Sequence, residues 1–204
     1  MSAQVLSVSL PSEIIYVSGT VNGTAYTWTL IEGAWTATVE RAADDTYAVA
    51  LTAVTAAGVS TNYALTLYYG LLSLITDRTR ADVENETDKG FYNASDLNRV
   101  GAAVEYIAGR FTALGYACPV TVKKDWLTSD APTASQLETY RQNIVTLRGQ
   151  IAVMASTPEA PASMAGLNYV KANNIEQILL DLDALIDKLI KSWCFSGELY
   201  AGEV

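Results

Sequence analysis

Residues 92 to 116 read Tyr92-Asn-Ala-Ser-Asp-Leu-Asn-Arg-Val-Gly-Ala-Ala-Val-Glu-Tyr-Ile-Ala-Gly-Arg-Phe-Thr-Ala-Leu-Gly-Tyr116. Leu97, Val100, Val104, Ile107, Phe111 and Leu114 recur at spacings of three and four, so they fall on one continuous stripe of a helix. Ser95 or Asp96 is placed to cap the exposed N–H groups at its start, and Gly115 to end it. The chain before this stretch alternates with a period of two, and after it, beyond a short extended segment at Cys118-Pro-Val-Thr-Val122, two more helical stripes follow. The boundary therefore divides the chain into two kinds of structure.

On the N-terminal side, large apolar and aromatic residues alternate with Thr or Ala in Tyr26-Thr-Trp28-Thr-Leu30, Trp35-Thr-Ala-Thr-Val39, Tyr47-Ala-Val49-Ala-Leu51 and Leu65-Thr-Leu67-Tyr-Tyr69. Period-two alternation with β-branched and aromatic residues predicts half-buried strands. Turn signals occur at Asn22-Gly23, Glu32-Gly33, Asp44-Asp45 and Ala57-Gly58. The Asn-Gly pair favours a two-residue hairpin whose turn residues both have positive φ. Six or seven short strands at this spacing predict a small antiparallel β-sandwich over residues 1–75. Residues 76–93 are polar and charged and are read as a linker with one helical turn.

On the C-terminal side, two more helices follow in a bundle over residues 94–204. One starts at Thr133, with Gln136 in a capping-box position, and carries Leu137, Tyr140, Ile144, Leu147, Ile151 and Met154. The other runs from Tyr169 to Trp193, and its wider apolar face predicts that it sits at the centre of the packing. The three stripes are covered either by one another or by a neighbouring subunit. The expected class is α+β.

Composition excludes several functions. The 204 residues carry a net charge of −9, and no Lys/Arg cluster offsets it. Such a chain repels phosphate backbones and anionic lipid surfaces, so neither nucleic-acid binding nor membrane insertion is expected. No basic segment with a long apolar run opens the chain, and no signal peptide is read. With no histidine, His triads, His general bases and most zinc sites are unavailable. The two cysteines, Cys118 and Cys194, lack metal-site spacing; one disulfide or two reduced thiols both fit. Asp82, Glu84, Glu86 and Asp88 do not follow the EF-hand pattern, which needs Gly sixth and Glu twelfth. Asp181, Asp183 and Asp187 read as a solvated helix face, with Lys191 one turn beyond Asp187. No phosphate loop or nucleophile elbow is present, so no enzyme, cofactor or metal is expected.

Aromatic residues are the remaining candidates. Trp28 and Trp35 flank the Glu32-Gly33 turn, and Trp126 follows Lys123-Lys-Asp125. They are candidate ligand or interface residues, set against a plainer role in packing. The end of the chain places Trp193, Phe195, Leu199 and Tyr200 in a candidate assembly segment; docking on a neighbour and packing on its own domain are equally open.

Val17-Ser-Gly-Thr-Val-Asn-Gly23 with the later Trp28 resembles immunoglobulin-like β domains of bacterial and phage surface proteins. A second resemblance spans nearly the whole chain. Leu67-Tyr-Tyr-Gly70, Leu74-Ile-Thr-Asp-Arg78, Ala81-Asp-Val83, Tyr92 to Val100, Asp130-Ala-Pro-Thr133, Asn173-Asn-Ile-Glu-Gln-Ile-Leu179 and Trp193 to Val204 are together similar to proteins from the tail region of Firmicutes phages and prophages. The resemblance implies a non-enzymatic component of a virion tail, baseplate or fibre. It would be made in the host bacterial cytoplasm and assemble with itself and with other tail proteins through its helical half. It transfers no catalytic residues. The alternative it leaves is a receptor- or carbohydrate-binding module contacting a host-surface glycan through exposed aromatics.

Overall fold

The computed structural model describes residues 3–43, 46–69, 71 and 73–192. It shows an α+β chain: antiparallel strands first, helices after. The seven strands among the described residues are β1 (Ala3–Val8), β2 (Ile14–Val21), β3 (Thr24–Thr27), β4 (Thr29–Ile31), β5 (Ala34–Glu40), β6 (Thr46–Thr55) and β7 (Ser60–Tyr68). They form two sheets with strand orders β1-β5-β4 and β3-β2-β6-β7. One core joins the sheets, with Leu6, Trp35 and Val39 from the first meeting Val17, Tyr47, Leu51 and Leu67 from the second.

Turn chemistry sets the registers. Asn22 and Gly23 have φ of 49° and 81°, and Glu32 and Gly33 have 50° and 85°. Each pair closes a two-residue hairpin, β2–β3 and β4–β5, as positive φ at both turn residues requires. The sandwich departs from the immunoglobulin order. There, the second strand pairs in the sheet that excludes the third; here β2 lies between β3 and β6. The cause is the Asn22-Gly23 turn, which is too tight to carry the chain from one sheet to the other. The crossing occurs instead at Trp28, between β3 and β4.

The helices are α1 (Arg80–Glu84), α2 (Ala94–Ala113), α3 (Ala134–Arg148) and α4 (Tyr169–Ser192), with a 3-10 turn at Asp88–Gly90. α2 starts two or three residues earlier than a cap at Ser95 or Asp96 would place it. Its cap is Asn93, whose side chain accepts the Ser95 N–H at 2.8 Å, while Asp96 returns to accept the Asn93 N–H at 2.8 Å. Thr133 and Gln136 form the expected capping box on α3. That helix stops at Gly149, short of Ile151 and Met154, which lie in the following loop. Asn168 caps α4, accepting the Lys171 N–H at 3.0 Å.

The expected stripes are covered within the chain. Leu97, Val100, Val104, Ile107 and Phe111 pack with Ile144 and Leu147 of α3 and with Ile175, Ile178, Leu179, Leu182 and Ile186 of α4. The central helix is α2, not the last one. Asp96 to Val104 are buried without interruption, because α2 packs on β7 as well as on α3 and α4. Gly101 helps: a Cβ there would lie 2.8 Å from the Lys123 carbonyl oxygen, so only glycine lets the 121–126 segment cross the helix this closely.

Candidate functional site

None of the three candidate tryptophans offers a ring to solvent. Trp28 is 5% exposed, Trp35 7% and Trp126 5%. Trp28 and Trp35 fill the sandwich core, and Trp126 belongs to the helical core. Glycan stacking on these side chains is therefore ruled out, for the ordinary reason that their large apolar surfaces were more useful inside. The candidate residues Trp193, Phe195, Leu199 and Tyr200 lie outside the described residues, as does Cys194. Among the described residues Cys118 has no disulfide partner; it is half-buried, and burial raises the pKa of its thiol.

The carboxylate clusters have structural employment. Asp82 caps α1, accepting the Thr79 N–H at 2.7 Å, and Glu84 pairs with Arg80 at 2.6 Å. Among the described residues no group of carboxylates is arranged to hold a metal. Asp183 and Asp187 do not form a free face: Arg110 of α2 pairs with both, at 2.6 Å to Asp187. The pairing hydrogen bond and charge of Arg110 hold the Asp187 carboxyl below its usual range.

The most unusual chemistry lies where the halves meet. Arg78, Asp96, Arg99 and Glu176 form a buried cluster with two positive and two negative groups, each with a side chain no more than 5% exposed. Glu176 Oε1 accepts from Arg78 at 2.8 Å and Arg99 at 3.0 Å. Its Oε2 accepts from Arg99 Nε at 3.1 Å and from the Ile75 backbone N–H at 2.6 Å. Asp96 Oδ1 accepts from Arg78 at 2.8 Å and Arg99 at 2.5 Å. Burial works against the Arg99 charge, but the Glu176 and Asp96 partners outweigh it and raise the pKa above the ordinary value. Tyr92 lies against Arg78 and Tyr68 against Arg99, their ring centres 5.4 and 6.0 Å from the guanidinium carbons. Tyr92 and Tyr140 share a short hydroxyl hydrogen bond, and burial pushes both phenols up. All the formal charges are matched internally, which is the condition for burying them at tolerable cost. The stretch expected to be a polar linker is therefore docked: Arg78 is 3% exposed and inserted between α2 and α4.

Three asparagines, one from each long helix, fasten the connecting segments. Asn98 of α2 accepts the Trp126 N–H at 2.6 Å and donates to the Trp126 carbonyl at 2.9 Å. Asn143 of α3 does the same for Thr121, at 3.1 and 2.7 Å. Asn173 of α4 does it for Arg78, at 3.0 and 2.9 Å. A carboxamide has the donor and acceptor of a peptide group, so each asparagine replaces a strand partner for one extended residue. Asp125 adds a tie to the sandwich: its carboxylate accepts the Ser9 N–H at 2.5 Å and the Lys123 ammonium at 2.8 Å.

Sequence reasoning missed this cluster, although Glu176 carries a signal. It lies four residues after buried Ala172 and three before Leu179, so helical spacing places it on the apolar face. Asp96 and Arg99 stand three apart beside the α2 stripe. A carboxylate at stripe spacing requires a buried cation.

Two hollows adjoin the junction. One, of about 520 Å³, lies between the outer face of β6–β7 and the first turn of α2. The other, of about 200 Å³, lies between α2 and α3 and is lined by Lys123, Trp126, Thr139 and Tyr140. The Trp126 indole N–H is buried and has no hydrogen-bond partner among the described residues. Among the described residues no helix is long and apolar enough to cross a membrane. No family model matches the chain, and comparisons with curated proteins and with solved structures return no match.

Proposed function

We propose that this chain is a non-enzymatic structural subunit of a phage tail, baseplate or fibre. One observation supports it above others. Three segments that carry the resemblance to tail-region proteins, around Leu74–Arg78, Tyr92–Val100 and Asn173–Leu179, are distant in sequence yet meet at the buried cluster of Arg78, Asp96, Arg99 and Glu176. Their shared task is to lock the β half to the helical half, which suits a part that must hold a fixed shape within a larger assembly. In this proposal the helical half contacts other tail proteins through side chains its own bundle leaves uncovered, such as Tyr106, Val170 and Ile190.

The test is location. Particles from an induced prophage that encodes the chain, purified on a density gradient, are analysed by mass spectrometry and by gold-labelled antibody. The chain is expected at fixed ratio to the major tail proteins, with label at one end of the tail. Particles that contain those proteins but not this chain would refute the proposal. The glycan-binding alternative has lost Trp28, Trp35 and Trp126 as ligand-stacking residues and has no specific observation in its favour.

A further inference from the structure

The four-stranded sheet turns one face to the core; its other face is outward except at the Thr66–Tyr68 end of β7, where α2 packs. From Ile14 to Ile31 and from Thr46 to Thr76 the chain contains no Asp, Glu, Lys or Arg, so all four strands are uncharged. A protein surface that meets only water usually has about 25–35% charged residues, whereas the cores of interfaces are depleted of them. In a chain of net charge −9, a charge-free outer sheet face requires an explanation.

The two ends of that face have opposite shapes. At one end Ile15, Tyr16 and Val59 project, 63%, 57% and 59% exposed. The irregularity in the β2–β6 pairing between Ile14 and Tyr16 turns Ile15 outward with its neighbour. At the other end the outward residues are small, Ala48, Ala50 and Ala64, and the first turn of α2 rises beside them. They floor the hollow of about 520 Å³. Strand register places Tyr16 beside Val54 and Thr20 beside Ala50, so projection and hollow lie along the same strands. Val54 and Ala48 are separated by about 20 Å at ~3.4 Å per residue.

We infer that this face is the contact between two copies of the chain. They are related by a twofold axis that lies in the interface and runs across the strands. That operation reverses strand direction, so the Ile15–Tyr16–Val59 end of each copy enters the alanine-floored hollow of the other. Projection and hollow on one surface are the self-complementarity that an isologous interface needs. Charge points the same way. Two copies of an acidic chain repel wherever their carboxylates face each other, and on this sheet they can meet without that cost; the three-stranded sheet carries only Glu40 as a charged residue but, among the described residues, lacks the paired projection and hollow. Four strands at ~4.8 Å spacing over ~20 Å give roughly 400 Å² of flat area per copy. That is at most about half of the ~800 Å² per partner of a standard interface, since α2 already covers the Thr66–Tyr68 end of β7. The dimer is accordingly weak in free solution. The inference stands apart from the virion proposal and holds or fails without it.

The experiment is sedimentation velocity on the full chain from about 1 to 500 μM, a range that brackets weak association. The wild type passes from monomer to dimer, and more salt tightens the dimer by screening the acidic surfaces. Ala64→Glu sets carboxylates into the contact, and Tyr16→Ser removes the projection; each weakens dimerisation at least tenfold. Ile31→Glu, on the opposite sheet, leaves it unchanged. Circular dichroism checks that each variant is folded, and Tyr16→Ser decides if Ala64→Glu is not. A wild type that stays monomeric, a dimer indifferent to both face variants, or one broken by Ile31→Glu would overturn the inference.

Discussion

Replacing Glu176 with Gln keeps the shape of the side chain and removes its charge. The carboxylate is wholly buried and accepts four N–H groups, from Ile75, Arg78 and twice from Arg99. The amide presents a donor where one oxygen stood, against guanidinium donors, and leaves two buried cations to share Asp96. Removing one partner of a buried ion pair costs about 3–5 kcal/mol. With a urea dependence near ~2 kcal/mol per molar, the unfolding midpoint falls by about 2 M. The discriminating variant is the double substitution Glu176→Gln with Arg99→Met. It restores neutrality, because Arg78 and Asp96 remain paired at 2.8 Å. It is expected to be more stable than Glu176→Gln alone by about 1–2 kcal/mol, because the second substitution compensates the first, so the two losses do not add. Urea titrations followed by tryptophan fluorescence and far-ultraviolet circular dichroism measure both. A loss below ~1 kcal/mol for the single variant, or a double variant whose loss is the sum of the two singles, would show that charge balance is not what the cluster provides.

Three further outcomes follow from the same contacts. Asn98→Leu leaves the Trp126 N–H and carbonyl without partners and should cost about 2–4 kcal/mol, with faster hydrogen exchange at the Trp126 amide. Gly101→Ala and Gly109→Ala both add a methyl to α2, yet should move the melting temperature oppositely. At Gly101 the new Cβ meets the Lys123 carbonyl oxygen at 2.8 Å, whereas at Gly109 nothing lies within 4 Å and only the helix-propensity gain of about 1 kcal/mol remains. Asp125→Asn tests pH dependence. Burial raises the Asp125 pKa, but the Lys123 hydrogen bond and the Ser9 N–H outweigh it and hold the carboxyl below its usual range. A depressed carboxylate contributes stability above its unfolded pKa of about 3.9, and that contribution is lost as pH falls through the folded value. The wild type should therefore exceed the Asn variant in stability at pH 7, with the gap closing below about pH 4. A gap independent of pH would refute the assignment.

Much of the architecture was legible because it rests on local periods. Alternating Thr and apolar residues located β5, β6 and β7, and Asn22-Gly23 fixed a hairpin without any long-range information. Strand order was not legible. Whether β2 joins β1 or β6 depends on which edges are free once the hairpins have formed, and no residue of β2 encodes that choice alone. Nor was the centre of the helical half. The last helix has the widest apolar stripe, and stripe width ranks helices by how much one face buries. The first half of α2, Asp96 to Val104, is buried all round through Gly101, Ala102 and Ala103, small residues that a hydrophobic pattern counts for little. As for the candidate site, exposure was the property that mattered for Trp28, Trp35 and Trp126, and residue type does not report it.

The asparagines and the ion cluster solve one problem. Outside its strands and helices this chain has segments without regular structure, 74–79 and 117–127 among them, which run against the helices instead of joining a sheet. Each brings buried peptide groups that need partners. Apolar side chains on α2, α3 and α4 could cover such segments but could not satisfy them. Asn98, Asn143 and Asn173 supply the missing donor and acceptor at one residue each, and Glu176 takes the Ile75 N–H as well as two guanidiniums. Hydrogen bonds of this kind are directional, so they fix where each segment lies along its helix, which apolar contact alone leaves free to slide. Because Trp126, held by Asn98, is followed by Leu127 in the sandwich core, and because Asp125 accepts the Ser9 N–H, fixing this segment also fixes the angle between the halves. A rigid angle between a β domain and a helical bundle follows from side-chain amides and one charge-balanced cluster, with no covalent link required.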